Sequence, residues 1–344
     1  MVNTLIYIEK LLVTINPLTN QGSEAMNTNL GEKITVCLLT YNHVEVIEST
    51  LRSILDQTIT GYEVVVSDDC STDGTWERIL ELAAEDARIK PVRTPRNMGM
   101  PGNANFAVAQ SGRPYIALLH HDDLYRQDLL EKWAGVLERY ADVSFVFNPY
   151  GIFESDFIYE EPMPSACIDG RWLLEKYLFA GWGCVVRGTA MVRREAWERV
   201  DGMREQFGLL ADVDLWMRLA MRWPVGYVPE PVITVRHQRP DYYPEIYIAS
   251  SWSWRRQRLL YDIHALNRLD YLKLNTPGGR LQWWGFRLKL SLETTKWLGY
   301  AVVRKKLEMI ASSQESMTRY DLWPLRVLRR MLQWNFLTHR GGQA

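Results

Sequence analysis

The run PYIALLHHDD at residues 114–123 places an apolar stretch directly before two adjacent carboxylates. A short apolar run of this kind predicts a strand that is buried in a parallel sheet. Two earlier runs have the same form, ITVCLLTYN at residues 34–42 and YEVVVSDD at residues 62–69. Because ligands of such sheets bind beyond the carboxyl ends of the strands, we expect the polar residues that end these runs to form one site.

Helical patterns separate the strands, since apolar side chains recur between them at the spacing of one helix face. These helices are expected at residues 47–55, 76–83, 103–110 and 127–140. Ser71, Thr72 and Asp73 supply N-cap chemistry for the second helix. Further strands are predicted at residues 89–92 and 143–147. The alternation of strand and helix predicts an α/β domain, with a mostly parallel sheet and helices on both faces.

The composition disfavours several classes of protein. The 344 residues contain 40 Lys and Arg against 41 Asp and Glu, which argues against binding to nucleic acid. The sequence has neither a GxGxxG run after its first strand nor a GxxxxGKS/T run, which disfavours dinucleotide dehydrogenases and P-loop enzymes. The four cysteines are widely spaced and form no CxxC pair, as is usual in a reducing cytosol. We therefore expect a cytoplasmic protein.

Asp122 and Asp123 are adjacent at the end of a predicted buried strand. Neighbouring carboxylates repel each other unless a cation or a ligand hydroxyl compensates them. Mg²⁺ and Mn²⁺ are commonly held by one or two carboxylates together with substrate phosphates. The pair therefore predicts either a divalent-cation site or a solvated turn that caps the next helix.

Five motifs occur in order between residues 34 and 123. They are Thr40-Tyr41-Asn42, Ser53-Ile54-Leu55-Asp56-Gln57-Thr58, Ser67-Asp68-Asp69-Cys70-Ser71-Thr72-Asp73-Gly74-Thr75, Asn97-Met98-Gly99 with Asn105, and His120-His121-Asp122-Asp123. This series resembles the N-terminal half of the family 2 glycosyltransferases, which have the GT-A fold. The resemblance implies an inverting enzyme that moves a sugar from a nucleotide diphosphate sugar to an acceptor hydroxyl in a single displacement.

The same resemblance implies the partners of the reaction. The donor would be a UDP-, dTDP- or GDP-sugar, and a divalent cation, Mn²⁺ or Mg²⁺, would assist its departure. The acceptor would be a glycan, either lipid-linked or part of a surface polysaccharide, as in bacterial members of the family.

The resemblance also assigns roles to individual residues. Donor binding falls on Thr40, Tyr41, Asn42, Asp69, Asn105 and Asp122. Tyr41 would lie against the nucleotide base, and Asp69 would bond to the edge of that base. Asp123 and Asp122 would hold the cation beside the diphosphate, with His237 as a further metal ligand. A single histidine on a strand is also common as a structural residue, so both interpretations of His237 stay open.

The run ADVDLWMRL at residues 211–219 resembles the family motif Glu-Asp-x-Asp-Leu-Trp-x-Arg-Leu, with Ala211 in place of Glu. The resemblance makes Asp212 the catalytic base. The apolar spacing places Asp212 at the N-terminal end of a helix, where we expect the helix dipole to hold its carboxylate ionised. The alternative is that Asp212 is an N-cap residue without chemistry.

Two further residues depart from the family pattern. His120 stands where many members have the first Asp of the DxD motif, and Cys70 replaces a glycine. An imidazole ligand would favour Mn²⁺ over Mg²⁺. These departures also fit a non-catalytic sugar-binding or scaffold protein on a decayed GT-A fold. Four carboxylates at motif positions argue against that alternative: Asp69, Asp122, Asp123 and Asp212.

The chain divides by pattern into a loosely ordered leader (residues 1–32), a GT-A catalytic domain (33–240) and a helical C-terminal region (241–344). Residues 33–125 would bind the nucleotide sugar, and residues 126–240 the acceptor. Residues 280–340 hold twelve Lys and Arg against four Asp and Glu, together with several tryptophans. Helices of this composition predict either peripheral contact with the inner face of the membrane or packing as a structural subdomain, against the catalytic domain or a second subunit.

Overall fold

The computed structural model describes residues 30–153, 155–182, 184–236, 250–303 and 319–338. Its strands, in chain order, are β1 (Ile34–Thr40), β2 (Glu63–Asp68), β3 (Ile89–Arg93), β4 (Tyr115–His120), β5 (Leu124–Tyr125), β6 (Phe145–Phe147), β7 (Tyr150–Ile152), β8 (Ile158–Tyr159), β9 (Cys167–Ile168), β10 (Ala190–Arg193), β11 (Val225–Tyr227) and β12 (Ile233–Val235). Every strand that the apolar runs predict is present.

The main sheet has eight strands in the order β3-β2-β1-β4-β10-β6-β11-β9. The first four are mutually parallel, as predicted. Strand β10 lies antiparallel to both β4 and β6, and β9 lies antiparallel to β11, so the far half of the sheet is mixed. The predicted parallel sheet is therefore confirmed for the half that carries the motif residues.

A second sheet of four short strands, in the order β5-β12-β7-β8, lies outside the sequence prediction. Its strands contain two or three residues each. Strands of that length are too short to show the alternation of apolar and polar residues from which strands are predicted. This small sheet begins directly after Asp123, so it fixes the segment that follows the paired carboxylates.

The α-helices, in chain order, are α1 (Ile47–Leu55), α2 (Thr75–Glu85), α3 (Gly99–Val108), α4 (Leu129–Arg139), α5 (Gly170–Leu173), α6 (Arg194–Arg199), α7 (Ala211–Ala220), α8 (Ser250–Tyr271), α9 (Pro277–Val303) and α10 (Trp323–Thr338). The N-cap prediction for α2 is wrong in detail, because Gly74 occupies the cap position with φ 95°. Asp73 still accepts hydrogen bonds from the backbone N–H and the hydroxyl of Thr75, the first residue of the helix.

The two faces of the main sheet build two hydrophobic clusters. Along β1, Val36 and Leu38 belong to one cluster, whereas Cys37 and Leu39 belong to the other. Because neighbouring residues of a strand point to opposite faces, this division shows that β1 is buried on both sides. Helices covering both faces of the sheet are thus confirmed.

The described part of the C-terminal region is helical, as predicted. Helix α8 packs into the core of the main domain, where Leu260 and Ile263 are buried. Asn267 of the same helix donates a hydrogen bond of 2.9 Å to Asp214 in α7. None of the helices among the described residues is both long and apolar enough to cross a bilayer. Most of the predicted leader, residues 1–29, lies outside the described residues.

Candidate functional site

The motif residues meet at one edge of the main sheet because β1, β2 and β4 are parallel neighbours. Thr40 pairs with Asp68 in the register of β1 with β2, and Leu39 pairs with His120 in the register of β1 with β4. The polar residues at the three strand ends therefore lie side by side. This juxtaposition was the first expectation from the sequence, and the register confirms it.

Asp69 organises the loop that leads into α3. Its carboxylate accepts hydrogen bonds from the backbone N–H groups of Met98 (2.7 Å) and Gly99 (2.8 Å) and from the hydroxyl of Thr94 (2.9 Å). Burial raises the pKa of Asp69, and these hydrogen bonds oppose that rise. The carboxylate thus holds the loop in place, and the predicted contact with a nucleotide base stays a prediction.

The Thr40-Tyr41-Asn42 motif presents three side chains in different environments. Thr40 is buried, and its hydroxyl oxygen has no hydrogen-bond partner among the described residues. The Tyr41 side chain is exposed at the rim of the site, where a planar ligand could stack on it. Asn42 adopts φ 55°, and its side-chain oxygen accepts a hydrogen bond of 2.8 Å from the backbone N–H of Thr72. Asn42 therefore shapes the loop after β2.

Asn105 is also committed to a structural contact. Its side-chain oxygen accepts a hydrogen bond of 2.9 Å from the backbone N–H of Met203, and its side-chain N–H donates one of 2.9 Å to the Met203 carbonyl. This pair of bonds ties α3 to the segment before α7. Its assignment to donor binding stays a prediction, carried by the motif alone.

Cys70 occupies a backbone conformation that favours glycine. Its φ is 62°, in the left-handed region that costs most side chains about 1–2 kcal/mol. The thiol donates to the carbonyl oxygen of Thr94 at 3.2 Å. The replacement of glycine by cysteine therefore keeps the turn geometry after β2, at some cost in backbone strain.

Asp123 is fully buried and forms a salt bridge with Arg187, a residue that sequence reasoning missed. Nη2 of Arg187 lies 3.0 Å from each carboxylate oxygen, and Nε lies 3.3 Å from Oδ2. The guanidinium also lies over the ring of Tyr150, at 5.4 Å from its centroid. Asp123, which the sequence predicts as a metal ligand, is thus already paired with the guanidinium of Arg187.

Two groups of side chains could hold a metal ion at this edge of the sheet. His120, Asp122 and Asp123 form one, and His43, His121 and Asp122 form the other, with ligand atoms within 4.8 Å of one another in each group. Asp122 belongs to both groups and is therefore the central candidate ligand. Mixed nitrogen and oxygen ligands of this kind suit Mn²⁺. The third predicted ligand, His237, lies outside the described residues.

Backbone carbonyls orient two of these imidazoles. Nδ1 of His43 lies 2.6 Å from the carbonyl oxygen of Tyr41, and Nδ1 of His121 lies 2.7 Å from that of Leu39. Since a carbonyl oxygen only accepts, each Nδ1 carries the proton and, in the neutral ring, Nε2 keeps its lone pair. Such a bond is the usual way in which a metal-binding histidine is held. The side chains present therefore fit a divalent cation.

Asp212 is the second residue of α7, and its carboxylate comes close to His120. A methyl group added at Gly188 would lie 2.7 Å from His120 Nε2 and 3.1 Å from Asp212 Oδ2. The carboxylate and the imidazole therefore lie close to each other, both on the side of Gly188 where a side chain would point. The N-cap alternative for Asp212 is wrong, because Leu210 occupies the cap position.

The expectation that the helix dipole keeps Asp212 ionised needs correction. Burial raises the pKa of Asp212 to about 6, and the backbone N–H groups of Val213 and Asp212 together with the charges of Arg187 and Arg256 only partly oppose this rise. Desolvation thus outweighs the dipole at this position. A pKa near 6 still leaves the carboxylate mostly ionised at neutral pH, where it can accept a proton.

Asp214, the other carboxylate of the helix start, has a structural role. It is fully buried, and it accepts hydrogen bonds from Arg218 Nε (2.7 Å) and Asn267 Nδ2 (2.9 Å). With its charge compensated inside the protein, Asp214 is unsuited to act as a base on a bound substrate. Asp212 is accordingly the carboxylate of α7 that lies near His120, and its assignment as the base stays a prediction.

Sequence reasoning missed His43, Arg187 and Gly188. His43 directly follows a recognised motif, and its position beside the Thr40-Tyr41-Asn42 turn was a usable signal. Arg187 and Gly188 lie in a segment without helical or strand periodicity, 64 residues beyond Asp123 in the case of Arg187. Contacts at such a separation follow from the tertiary structure, so a single sequence gives no signal for them.

Comparison with known proteins adds a family match. Residues 35–201 match the family model described as "Glycosyl transferase family 2". The chain is 29% identical over 152 residues to the Escherichia coli protein WfgD, named UDP-Glc:alpha-D-GlcNAc-diphosphoundecaprenol beta-1,3-glucosyltransferase, covering 44% of this chain and 58% of WfgD. The matched regions of three bacterial relatives, WfgD among them, span 51, 58 and 70% of those proteins.

Two solved structures share the fold. Residues 1–349 of S. aureus TarS in complex with UDP-GlcNAc superpose with a TM-score of 0.55 at 17% identity, covering 69% of this chain and 67% of that one. The mannosyltransferase PcManGT from Pyrobaculum calidifontis, in complex with GDP-Man and Mn²⁺, gives a TM-score of 0.51 at 19% identity, covering 89% and 85%. The predicted GT-A fold with a C-terminal helical region is confirmed.

Proposed function

Residues 35–201 of the chain belong to glycosyl transferase family 2, and on that premise we propose that the protein is an inverting glycosyltransferase that takes its sugar from a nucleotide diphosphate donor. The observation that carries the proposal is the position of Asp212, which lies close to His120 on the side-chain side of Gly188 and therefore near the Asp122-Asp123 pair. A candidate base therefore lies near the residues that could hold a diphosphate through a cation. A transfer between two substrates requires both a base for the acceptor and a binding site for the diphosphate of the donor.

The proposed reaction is a single displacement. The acceptor hydroxyl oxygen attacks the anomeric carbon, and its proton passes to Asp212. The new bond joins the acceptor oxygen to the anomeric carbon, while the bond from that carbon to the β-phosphate oxygen breaks and the nucleoside diphosphate leaves. Attack opposite the leaving group inverts the anomeric configuration. No covalent intermediate with the protein is needed.

Asp122 would hold a divalent cation, with His120 and Asp123 or with His43 and His121 as its neighbours. A cation there would neutralise the charge that develops on the leaving diphosphate. The fit rests on the ligand types and on the carbonyl-bound imidazoles, and PcManGT, a protein of the same fold, was solved with GDP-Man and Mn²⁺. Mn²⁺ is accordingly the first choice among cations.

The donor and acceptor classes are proposed more broadly. WfgD acts, by its name, on a diphosphoundecaprenol-linked sugar with UDP-Glc, and TarS was solved with UDP-GlcNAc. A UDP-sugar is therefore the first donor to test, before dTDP- and GDP-sugars. A glycan carried on a lipid is the corresponding acceptor.

A lipid-linked acceptor agrees with the surface of the C-terminal helices. Large apolar side chains are exposed along one face of α9, at intervals of three or four residues: Leu281, Trp284, Leu288 and Leu292. Exposed basic residues accompany them, namely Arg280, Lys289, Lys296 and, on α10, Arg330. Apolar and cationic side chains combined in this way suit the interface of an anionic membrane. We place the enzyme at the inner face of the membrane, in peripheral contact.

The function is tested by screening thermal stabilisation by UDP-, dTDP- and GDP-sugars, each with Mn²⁺ and with EDTA. A ligand that binds only the folded state raises the midpoint of unfolding, so the true donor should stand out among the sugars. Release of the nucleoside diphosphate on addition of a lipid-linked acceptor then reports transfer. Failure of every nucleotide sugar to stabilise the protein in Mn²⁺ would refute the proposed donor class.

A further inference from the structure

Arg187 is placed where the charges of the site converge. It binds Asp123 through two nitrogen atoms, with Nη2 at 3.0 Å from both carboxylate oxygens. The Asp123 side chain is fully buried, whereas the Arg187 side chain keeps 19% of its surface exposed. The guanidinium is thus anchored on a buried carboxylate, while part of the Arg187 side chain stays exposed.

The same guanidinium acts on two further carboxylates. Asp122 and Asp123 both favour its charged form, and its charge in turn opposes the rise in the pKa of Asp212. The next residue, Gly188, borders both His120 and Asp212 on the side where a side chain would point. Arg187 therefore contacts one candidate cation ligand directly, and its charge acts on the candidate base, so a diphosphate bound at these carboxylates would lie beside it.

An arginine in this position has a choice of partners. Its planar fork of N–H groups matches a carboxylate and a phosphate equally well, and both pairs can be bidentate. A buried carboxylate that loses its arginine is unstable unless another positive charge replaces it. A divalent cation at Asp122 and Asp123 would supply that charge. The site can therefore release Arg187 when a donor and a cation arrive together.

We propose that Arg187 is a diphosphate-binding residue, which is held on Asp123 before the donor binds and is transferred to the β-phosphate of the donor when it binds. The inference rests on the proposed function, since it needs a nucleotide diphosphate in this pocket. It goes beyond that function by assigning the leaving group a protein cation that belongs to none of the recognised motifs. It also makes the binding of cation and diphosphate mutually dependent.

The experiment compares Arg187→Gln and Arg187→Lys with the wild type in equilibrium binding. The ligands are the nucleoside diphosphate that the wild type binds best, among UDP, GDP and dTDP, and its monophosphate, each with Mn²⁺. Arg187→Gln should weaken diphosphate binding by about 10- to 100-fold, the value of a charge-assisted bidentate contact. Monophosphate binding should change little, because that ligand lacks the β-phosphate.

Arg187→Lys keeps the charge beside Asp123 and loses the fork, so it should fold normally and bind the diphosphate with intermediate affinity. Arg199→Gln is the matched control, because Arg199 forms an exposed ion pair with Glu195 away from the strand ends. That variant should bind both nucleotides like the wild type. Binding of Mn²⁺ alone should be as tight or tighter in Arg187→Gln, since a competing cation has gone.

The possible results distinguish a failure of the proposed function from a failure of the role proposed for Arg187. A wild type that binds no nucleoside diphosphate in Mn²⁺ overturns the proposed function, and this inference with it. A wild type that binds the diphosphate, with Arg187→Lys and Arg187→Gln weakening diphosphate and monophosphate equally, overturns the inference alone. In that case Arg187 only compensates Asp123. Should Arg187→Gln fail to fold, the ratio of the two affinities in Arg187→Lys decides the question by itself.

Discussion

Asp212 and His120 both border the space that a side chain at Gly188 would occupy, so that an added methyl group would contact the carboxylate and the imidazole together. Asp212 comes from the start of α7 and His120 from the end of β4, two elements that are distant in the chain. In the proposed reaction Asp212 serves the acceptor, and His120 lies with the residues that would hold the donor diphosphate through a cation. A side chain at position 188 would therefore displace one or both of these groups.

Gly188→Ala should therefore reduce turnover without unfolding the protein. The added methyl group would lie 2.7 Å from the His120 ring, which has to shift, and 3.1 Å from the Asp212 carboxylate. Overpacking of this kind costs about 1–3 kcal/mol. We expect turnover to fall at least about tenfold, as is usual when a reacting group is displaced, with a small decrease in the melting temperature.

Gly112→Ala is the matched control, because a methyl group added there meets no atom within 4 Å. It should change neither turnover nor melting temperature. Normal turnover in Gly188→Ala would mean that the gap between His120 and Asp212 has no part in the reaction.

The pH dependence of turnover should follow the protonation of Asp212. Its pKa is raised to about 6 by burial, and the base must be ionised to accept a proton. Turnover should therefore fall as the pH drops through about 6, and it should be nearly constant from pH 7 to 8. Initial rates at saturating donor between pH 5 and pH 8 measure this. A constant rate down to pH 5 would exclude a base with this pKa.

Protonation of Asp212 should also change the stability of the protein, but in the opposite direction: low pH lowers turnover, whereas it favours the folded state. A folded-state pKa of about 6 lies above the ordinary value of an aspartate. The folded state therefore binds the proton more tightly, so this contribution to stability is present at low pH and is lost as the pH rises through about 6. Asp212→Asn should thus be more stable than the wild type at pH 8, and the difference should shrink at pH 5. Thermal melts of both proteins at the two pH values test this.

How far the sequence predicted this site depends on the residue. Thr40, Asp69 and Asp122 follow apolar runs, so their meeting at one sheet edge could be predicted from the periodicity of single strands. The pKa of Asp212 could not, because the burial that raises it comes from segments packed around α7. Arg187 lies in a segment that shows neither a motif nor a helical or strand periodicity, so the sequence does not predict its position in the site. Local spacing thus predicts which elements carry the site, whereas charge compensation within it requires the folded structure.

Donor binding should require a divalent cation. A diphosphate next to Asp122 and Asp123 is repelled unless a positive charge intervenes. We expect the affinity for the best nucleoside diphosphate to fall at least about tenfold when EDTA replaces Mn²⁺. Asp122→Asn should weaken binding of Mn²⁺ itself, whereas Asp142→Asn, an exposed change away from the strand ends, should not. Equal affinity with Mn²⁺ and with EDTA would remove the cation from the account.

The apolar face of α9 should bind anionic vesicles. The side chains of Trp284 and Leu288 are 56% and 46% exposed, so replacing both with serine should reduce co-sedimentation with anionic liposomes. The electrostatic part of the binding should weaken with salt, since charges are screened over about 8–10 Å at physiological ionic strength. Leu80→Ser is the control, because Leu80 is 44% exposed on α2. Wild-type protein that stays in the supernatant at low salt would show that α9 serves another contact.

In the proposed reaction Asp212 acts as the base on the acceptor hydroxyl, and the substitution Asp212→Asn tests this role. Asparagine keeps the shape of the side chain and cannot take the proton, so donor and Mn²⁺ affinities should stay close to those of the wild type. Turnover, measured as release of nucleoside diphosphate in the presence of the acceptor, should fall by about 10²–10⁴-fold. Asp214 cannot substitute, since it is buried and bonded to Arg218. Near-normal turnover in Asp212→Asn, with donor binding intact, would contradict the account.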